Sequence, residues 1–238
     1  MENNINFKVK IFADGADKKG MLEMNENPLI KGLTTNPTLM KKAGITDYPG
    51  FAKDILSHIT EKPISFEVFA DEFDEMERQA NIIATWGKNV NVKIPITNTK
   101  GLSTLPLIET LSSNGVKLNV TAMMTFDQVK EVTPALASGA GGFVSVFAGR
   151  IADTGVDPVP VMKEVVDYLR EFPNVELIWA SPREVLNVTQ ANDIGCHIIT
   201  VTNDVIKKLN SNGKDLNQFS LETVQMFYND ARAVGYTI

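Results

Sequence analysis

The sequence is poor in the residues that build disulfides, thiolate metal clusters and histidine-based sites. Its single cysteine, Cys196, excludes an intramolecular disulfide and a cysteine metal cluster. Its two histidines, His58 and His197, lie far apart on unrelated segments, so neither a histidine-rich zinc site nor a serine–histidine triad is supported. The sequence therefore predicts neither a metal site nor a disulfide-rich secreted protein.

Long apolar runs and runs of one charge are also absent. No apolar run approaches the ~18 residues of a membrane-spanning helix, and the first residues of the chain contain no apolar signal core. The net charge is −6, and Lys and Arg never occur in a run longer than two. This charge pattern argues against nucleic acid or an anionic membrane surface as the main partner. We expect a cytoplasmic, reduced protein that binds an anionic ligand only through a few placed cations.

Short runs rich in β-branched residues alternate with longer amphipathic runs, which indicates strands alternating with helices. Strands are predicted at residues 9–13, 33–36, 64–69, 89–97, 116–122, 143–147, 176–180 and 196–201. Eight strand–helix units in about 200 residues fit a closed (β/α)8 barrel better than an open doubly wound sheet. No G-x-G-x-x-G motif follows the first strand, which disfavours dinucleotide binding. The predicted fold is α/β: a single (β/α)8 TIM barrel domain over residues 1–238.

The sequence also makes specific predictions for three segments outside the strands. A helical region is predicted over residues 38–59, with an interruption near Tyr48-Pro49-Gly50. Residues 150–156 are predicted as a loop that leads to a helix beginning at Asp157-Pro158. A final helix over residues 220–234 follows the eighth unit and is additional to the barrel. This helix either covers an end of the barrel or packs on another subunit.

The fourth predicted strand contains a lysine in an otherwise apolar setting. Val92 and Ile94 flank Lys93 in a strand that a parallel barrel would cover on both faces. Burial disfavours the charged ammonium, and a neutral lysine amine is a nucleophile toward carbonyl groups. The alternative is that Lys93 lies at the strand's end and extends its amine into water. The stretch alone leaves both interpretations open.

Each of the first seven predicted strands brings a polar residue toward its carboxyl end, where barrel enzymes build their active sites. Each residue has an ordinary explanation of its own, such as turn formation or helix capping, so their convergence is the stronger observation. In chain order these residues are Asp14, Thr34, Thr35, Asn36, Glu67, Lys93, Asn119, Thr121, Ser145, Arg150, Ser181 and Arg183.

Neighbouring strands would bring Glu67 close to Lys93, with Asp14 one strand end further round. An amine nucleophile with two carboxylates is suited to imine-forming carbon–carbon cleavage, in which a protonated imine withdraws electrons from the bond that breaks. Arg150 and Arg183 are suited to holding a substrate phosphate by charge-assisted hydrogen bonds. The residues therefore predict imine-forming carbon–carbon cleavage of a ketone, with a place for a substrate phosphate.

The motifs at the strand ends resemble one family, the transaldolases, in order and spacing from about residue 9 to 202. They are Phe-Ala-Asp at 12–14, Thr-Thr-Asn-Pro at 34–37, Glu67 in Phe-Glu-Val, Val-Lys-Ile-Pro at 92–95, Asn-Val-Thr at 119–121, Ser145 with Gly-Arg-Ile at 149–151, and Ser181 with Arg183. The resemblance implies transfer of a dihydroxyacetone unit between sugar phosphates in the pentose phosphate pathway, through a lysine Schiff base and without a metal or organic cofactor.

The resemblance also implies a role for each matched residue. Lys93 would form the Schiff base, Asp14 would shuttle the proton of the substrate hydroxyl, and Glu67 with Thr121 would hold the water of carbinolamine dehydration. The implied substrate-binding residues are Asn36 and Ser145 at the dihydroxyacetone hydroxyls, Arg150, Ser181 and Arg183 at the phosphate, and also Thr34 and Phe147.

Two other functions remain open at this point. Related fructose-6-phosphate aldolases, which release free dihydroxyacetone, tend to carry Gln at the position of Glu67 and Tyr at that of Phe147, so both positions here are of the transaldolase type. Gly15, Pro182 and Ala148 depart from common family residues and bear on substrate preference. A binding barrel without turnover is the third possibility. The short transaldolases often pack their extra C-terminal helix on a neighbouring subunit, so we expect a homo-oligomer.

Overall fold

Eight parallel strands close into a barrel in the computed structural model, which describes residues 7–238. The predicted absence of a signal core concerns residues 1–6 in part, and those lie outside the described residues. The strands follow the chain around the barrel, and β8 pairs with β1. Their bounds are β1 Lys10–Asp14, β2 Ile30–Thr34, β3 Ile64–Glu67, β4 Val90–Pro95, β5 Leu118–Met123, β6 Gly142–Val146, β7 Val175–Trp179 and β8 Ile198–Val201.

Helices connect the strands, and the predicted (β/α)8 fold is confirmed. A short 3-10 turn, Leu209–Ser211, follows α10. The helices are α1 Lys18–Glu26, α2 Pro37–Lys42, α3 Tyr48–His58, α4 Phe73–Ala84, α5 Leu105–Ser113, α6 Phe126–Ser138, α7 Ala148–Asp153, α8 Val159–Leu169, α9 Leu186–Asp193, α10 Asn203–Lys208 and α11 Leu216–Val234.

The period-two alternation of each strand separates two packing environments. On β4, Val92 and Ile94 are fully buried in the large core between the barrel and its helices, whereas Lys93 lies on the opposite face, inside the barrel. A smaller apolar cluster also lies inside the barrel, and it includes Phe12. Gly32 makes room for that ring, because a Cβ there would lie 2.5 Å from Phe12. The remainder of this cluster is Phe143, Ile178, Ala180 and Ile198, with Phe147 packed against it.

The structure corrects two predicted bounds around the second strand. β2 ends at Thr34 and not at 36, because the side chain of Asn36 accepts a hydrogen bond from the Leu39 N–H (3.0 Å) and so begins α2. Tyr48-Pro49-Gly50 opens α3 and does not interrupt a helix. The break comes earlier, at Gly44, whose φ of 71° ends α2.

Two further bounds differ from the prediction. Residues 148–153 form α7, where a loop was predicted from residue 150, because a helix of 6 residues is too short to show a periodic apolar pattern. The C-terminal helix begins at Leu216 and not at 220, since the Asp215 side chain accepts the Gln218 N–H (2.9 Å) as a cap.

The final helix, α11, lies apart from the packed barrel. Within residues 216–234 no side chain is buried. Several of its large apolar side chains are more than half exposed, among them Val224, Phe227 and Tyr228. No helix within residues 7–238 combines the length and the apolar character that crossing a bilayer requires.

Candidate active site

A cavity of about 520 Å³ opens at the carboxyl ends of the strands. It lies where barrel enzymes carry their chemistry. All eleven residues predicted for the site line it, so the structure brings the whole predicted set together. They are Asp14, Thr34, Asn36, Glu67, Lys93, Thr121, Ser145, Phe147, Arg150, Ser181 and Arg183.

Lys93 and Glu67 form a buried ion pair inside the cavity. They are register partners on neighbouring parallel strands, and the Lys93 Nζ lies 3.2 Å from the Glu67 Oε2. The Lys93 side chain is 8% exposed and that of Glu67 is 17% exposed. The Lys93 Nζ also donates to the carbonyl oxygen of Thr35 at 3.0 Å. The lysine is therefore held inside the barrel, and the alternative interpretation, in which its amine extends into water, is wrong.

Asp14 is a second carboxyl group in the same cavity. It ends β1 opposite Thr34, whose Oγ1 donates to the Asp14 Oδ1 at 2.9 Å. Burial raises the pKa of Asp14, while the positive charge of Lys93 and the hydrogen bond from Thr34 oppose that rise. A carboxyl group whose pKa is moved toward neutrality is suited to taking up and returning a proton.

A series of uncharged polar side chains on β6, β5 and β3 is linked by hydrogen bonds next to the lysine. Ser145 Oγ donates to Asn119 Oδ1 at 2.7 Å, and Asn119 Nδ2 donates to Ser65 Oγ at 3.0 Å. Because Asn119 is the register partner of Lys93, this chain fixes the side chains beside the amine. Asn119, which the sequence placed among the polar strand-end residues without a role of its own, lines the cavity too.

Thr121 differs from these neighbours in having no hydrogen-bond partner for its buried Oγ1. The β5–β6 register shifts between Val120 and Met123, and Ala122 takes a φ of 63°. Such an irregularity at a barrel rim re-aims a side chain. Buried hydroxyls are almost always satisfied, so an unpaired one that lines a cavity is suited to a water molecule or a substrate oxygen.

Asn36 serves both as a helix cap and as a lining residue. Its Oδ1 accepts the Leu39 N–H, and its position in the cavity leaves the amide group available to a ligand. The ordinary and the functional explanations of this residue are therefore compatible.

The cationic end of the cavity is built from the segments that follow β6 and β7. Arg183 Nη1 donates to Ser181 Oγ at 3.0 Å, and Arg150 lies on α7 at the cavity rim. The two segments touch at Gly149, where a Cβ would lie 1.6 Å from the Ser181 carbonyl oxygen. Ser181 itself takes a left-handed φ of 62°. The arginines are thus placed by a contact that only glycine permits.

Three contributors to the site were not predicted. The Thr35 carbonyl binds Lys93, and the Tyr48 hydroxyl donates to the Glu67 carbonyl (3.0 Å) and accepts the Glu67 N–H (2.8 Å). Burial raises the pKa of Tyr48, so its hydroxyl stays protonated at neutral pH. Lys42 on α2 adds a cation to the lining. A backbone acceptor has no sequence signature, and the orientation of helix residues toward a barrel mouth depends on tertiary packing.

Comparison with known proteins identifies the family of this sequence. The sequence model of the family described as transaldolase/fructose-6-phosphate aldolase matches residues 11–238. The chain is 36% identical to a probable transaldolase of Dehalococcoides mccartyi over 84% of its length and 90% of the relative. It is 35% identical to probable transaldolase 2 of Listeria monocytogenes over 84% of its length and 88% of the relative.

The solved structures that are similar to this chain share its fold. The tryptophan synthase α subunit of Campylobacter jejuni superposes with a TM-score of 0.57 at 13% identity, over 83% of this chain and 87% of the other. At that identity the likeness supports the barrel alone. The family match covers nearly the whole chain, so it supports common ancestry and not the barrel alone. This chain belongs to the transaldolase/fructose-6-phosphate aldolase family of enzymes.

Proposed function

We propose that this enzyme is a class I transaldolase, which moves a dihydroxyacetone unit from a ketose phosphate to an aldose phosphate through a Schiff base on Lys93. The observation that carries the proposal is the buried Lys93 inside the cavity, with the Glu67 carboxylate 3.2 Å from its amine. A fully buried lysine is rare unless it is paired, and a nucleophilic lysine needs a nearby group that can take its proton.

The first half of the reaction forms the imine. Glu67 accepts a proton from Lys93, and the neutral amine attacks the ketose carbonyl to give a carbinolamine. Loss of the carbinolamine hydroxyl as water then gives the protonated imine. Glu67 and Thr121 hold that water in our proposal, which the unpaired Thr121 Oγ1 supports.

Asp14 then acts on the substrate hydroxyl next to the bond that is cleaved. Its carboxylate takes the hydroxyl proton and the carbon–carbon bond breaks. The electron pair of that bond moves into the imine and gives an enamine. The product aldose phosphate leaves. In the reverse sense the enamine attacks the acceptor aldehyde, Asp14 returns the proton to the new alkoxide, and water hydrolyses the new imine. The raised pKa of Asp14 and its place beside Lys93 support this role.

Phe147 favours transfer over hydrolysis of the intermediate. Its ring packs against the apolar cluster inside the barrel and has no hydroxyl that could help to protonate the enamine. The bound three-carbon unit then waits for an aldehyde acceptor. The alternative is an aldolase, which would release free dihydroxyacetone from fructose 6-phosphate in the absence of any acceptor, at a rate comparable with transfer.

The substrates proposed are sedoheptulose 7-phosphate or fructose 6-phosphate as donor and an aldose phosphate as acceptor, as in the pentose phosphate pathway. Asn36 and Ser145 bind the dihydroxyacetone hydroxyls in this scheme. Arg150, Ser181 and Arg183 bind the phosphate, since a guanidinium matches a phosphate through paired hydrogen bonds. We propose the cytoplasm as the compartment, where these substrates occur.

Borohydride trapping tests the Schiff base. Incubation with fructose 6-phosphate and borohydride should add a reduced three-carbon unit to the peptide that contains Lys93, as seen by mass spectrometry. Lys93→Met should abolish both the adduct and the transfer from sedoheptulose 7-phosphate to an aldose phosphate. An adduct that persists in Lys93→Met would refute the assignment. A binding barrel without turnover would instead be stabilised thermally by sugar phosphates while no transfer is detected.

We also propose that the enzyme is a homo-oligomer in which α11 packs on another copy of the chain. The unburied apolar side chains of α11, such as Phe219 and Phe227, support this because a soluble helix normally buries its apolar face.

A further inference from the structure

Asp153, the last residue of α7, holds the guanidinium of Arg183 from the side away from the cavity. Arg183 Nε donates to Asp153 Oδ1 at 2.9 Å, and Arg183 Nη2 pairs with Asp153 Oδ2. Asp153 is not among the residues that line the cavity, whereas Arg183 and Ser181 are. The carboxylate therefore contacts the arginine and not the space that a substrate would occupy.

The orientation of the guanidinium follows from this pairing. A guanidinium has a fixed planar fork of donors. When its Nε–Nη2 edge is paired with a carboxylate, Nη1 is the nitrogen without a carboxylate contact, and here Nη1 donates to Ser181 Oγ at 3.0 Å. Both groups that would meet a phosphate are thus presented together before any ligand binds.

We propose that Asp153 is a positioning residue for phosphate recognition: it fixes Arg183 so that Nη1 and the Ser181 hydroxyl form one preorganised subsite for the substrate phosphate. This rests on the proposed function, in which that end of the cavity takes the phosphate. Asp153 acts through Arg183 and does not touch the substrate.

Two observations show why such a residue is needed. The Arg183 side chain is 44% exposed and lies in the loop after β7, so without a partner it would sample many rotamers, which a ligand would have to restrict on binding. Arg150 precedes Asp153 by one turn of the same short helix, and its positive charge also contributes to the low pKa of Asp153, after the larger effect of the Arg183 hydrogen bonds. Asp153 therefore lies near both cations and reduces their mutual repulsion in the free enzyme.

The carboxylate also opposes phosphate binding, because it is an anion near an anionic ligand. The two effects change the selection of phosphorylated substrates in opposite directions, so the direction of the change tests the proposal. If positioning dominates, removal of Asp153 weakens the selection of phosphorylated substrates. If charge repulsion dominates, removal strengthens it. The exposed position of Asp153 screens its charge and leaves the geometric effect as the larger one.

The experiment compares phosphorylated and unphosphorylated acceptors at saturating sedoheptulose 7-phosphate. In a double-displacement reaction, kcat/KM for the acceptor reports only the second half of the cycle, so the phosphate of the donor does not affect it. The acceptors are glyceraldehyde 3-phosphate and glyceraldehyde. For Asp153→Ala we expect KM for glyceraldehyde 3-phosphate to rise roughly tenfold, about 1.4 kcal/mol, with kcat and the value for glyceraldehyde little changed.

Conservative variants and a matched control complete the design. Asp153→Asn keeps one acceptor for the guanidinium and should give a smaller rise in KM, whereas Asp153→Glu should restore much of the selectivity. The control is Asp167→Asn, which removes an acid of similar exposure whose partners, Lys163 and Arg170, belong to α8 and its C-terminal cap. It should leave both acceptors unaffected.

Each outcome has a single reading. Unchanged or improved selectivity for glyceraldehyde 3-phosphate in both Asp153→Ala and Asp153→Asn would overturn the positioning role. An equal loss with both acceptors would also overturn it, because it would mean general disruption of the site. An absence of transfer by the unmodified enzyme would refute the proposed function itself.

Discussion

Asp14 illustrates at the scale of one residue how a buried carboxyl group opposes stability at neutral pH. Its pKa is raised by burial, so ionisation of Asp14 costs more in the folded protein than in the unfolded chain. The corresponding stability is fully present below the ordinary pKa of 3.8, and it is lost as the pH rises through the raised value. At neutral pH the folded enzyme therefore carries a cost for having this carboxylate.

Asp14→Asn should remove that cost. We expect a higher free energy of unfolding at pH 7 than in the original protein, and an advantage that shrinks as the pH falls through the raised pKa of Asp14, because that carboxyl group is then protonated in the original protein. Denaturant unfolding at several pH values measures it. An advantage that is independent of pH would contradict the burial of the ionised group.

The same substitution should nearly abolish activity. Loss of a general acid–base group lowers rates by about 10²- to 10⁴-fold, and we expect transfer by Asp14→Asn to fall within that range. Borohydride trapping of unphosphorylated dihydroxyacetone on Lys93 should persist, since forming that imine breaks no carbon–carbon bond. Loss of the trapped adduct as well would indicate that Asp14 acts at imine formation.

In the proposed mechanism, Phe147 decides at the same scale whether the intermediate is transferred or hydrolysed. Phe147→Tyr places a hydroxyl at the edge of the cavity, where it can help to protonate the enamine. We expect the ratio of free dihydroxyacetone release to transfer to rise several-fold, measured with fructose 6-phosphate with and without an acceptor aldehyde. Phe147→Leu, which adds no hydroxyl, is the control. An equal increase in both variants would attribute the effect to lost packing.

At the scale of elements, the phosphate end of the cavity depends on how α7 meets the loop after β7. Gly149→Ala would place a methyl group 1.6 Å from the Ser181 carbonyl oxygen, so the two segments must separate. We expect destabilisation of roughly 1–3 kcal/mol, as for other overpacked sites. KM for phosphorylated acceptors should also rise, because Arg150 and Arg183 move apart. Gly155→Ala is the contrasting variant, since open space surrounds Gly155 and only its φ of 82° is strained.

Elements also explain what the sequence could predict. Asp14, Glu67, Lys93 and Thr121 were predicted because a strand's carboxyl end fixes where its residues meet. Tyr48 was not predicted, because its hydroxyl reaches β3 from a helix that lies earlier in the chain. Lys42 and Asp153 also lie on helices and were not predicted for the same reason. Local pattern places an element, but packing decides which residue of a helix faces the barrel mouth.

At the scale of the whole molecule, the proposed packing of α11 on a second copy predicts an assembly that depends on protein concentration. If α11 packs on a second copy, the folded oligomer gains stability by mass action, and Tm rises with protein concentration. We expect a rise of several degrees over a hundredfold range of concentration, and a mass by light scattering that is a multiple of the monomer's. A chain ending at residue 215 should be monomeric with a constant Tm. A monomeric full-length chain would refute the assembly.

The contact between Lys93 and the Thr35 carbonyl also has a kinetic meaning. It joins residues 58 positions apart, and the Glu67 partner lies on the strand between them. The Lys93 amine therefore reaches the surroundings it has in the folded barrel only after β2, β3 and β4 have come together. In a refolding experiment with pulses of dihydroxyacetone and borohydride, the labelling of Lys93 would serve as a clock for the assembly of that arc of the barrel. It should lag behind the recovery of helical signal and precede the recovery of phosphate-dependent transfer.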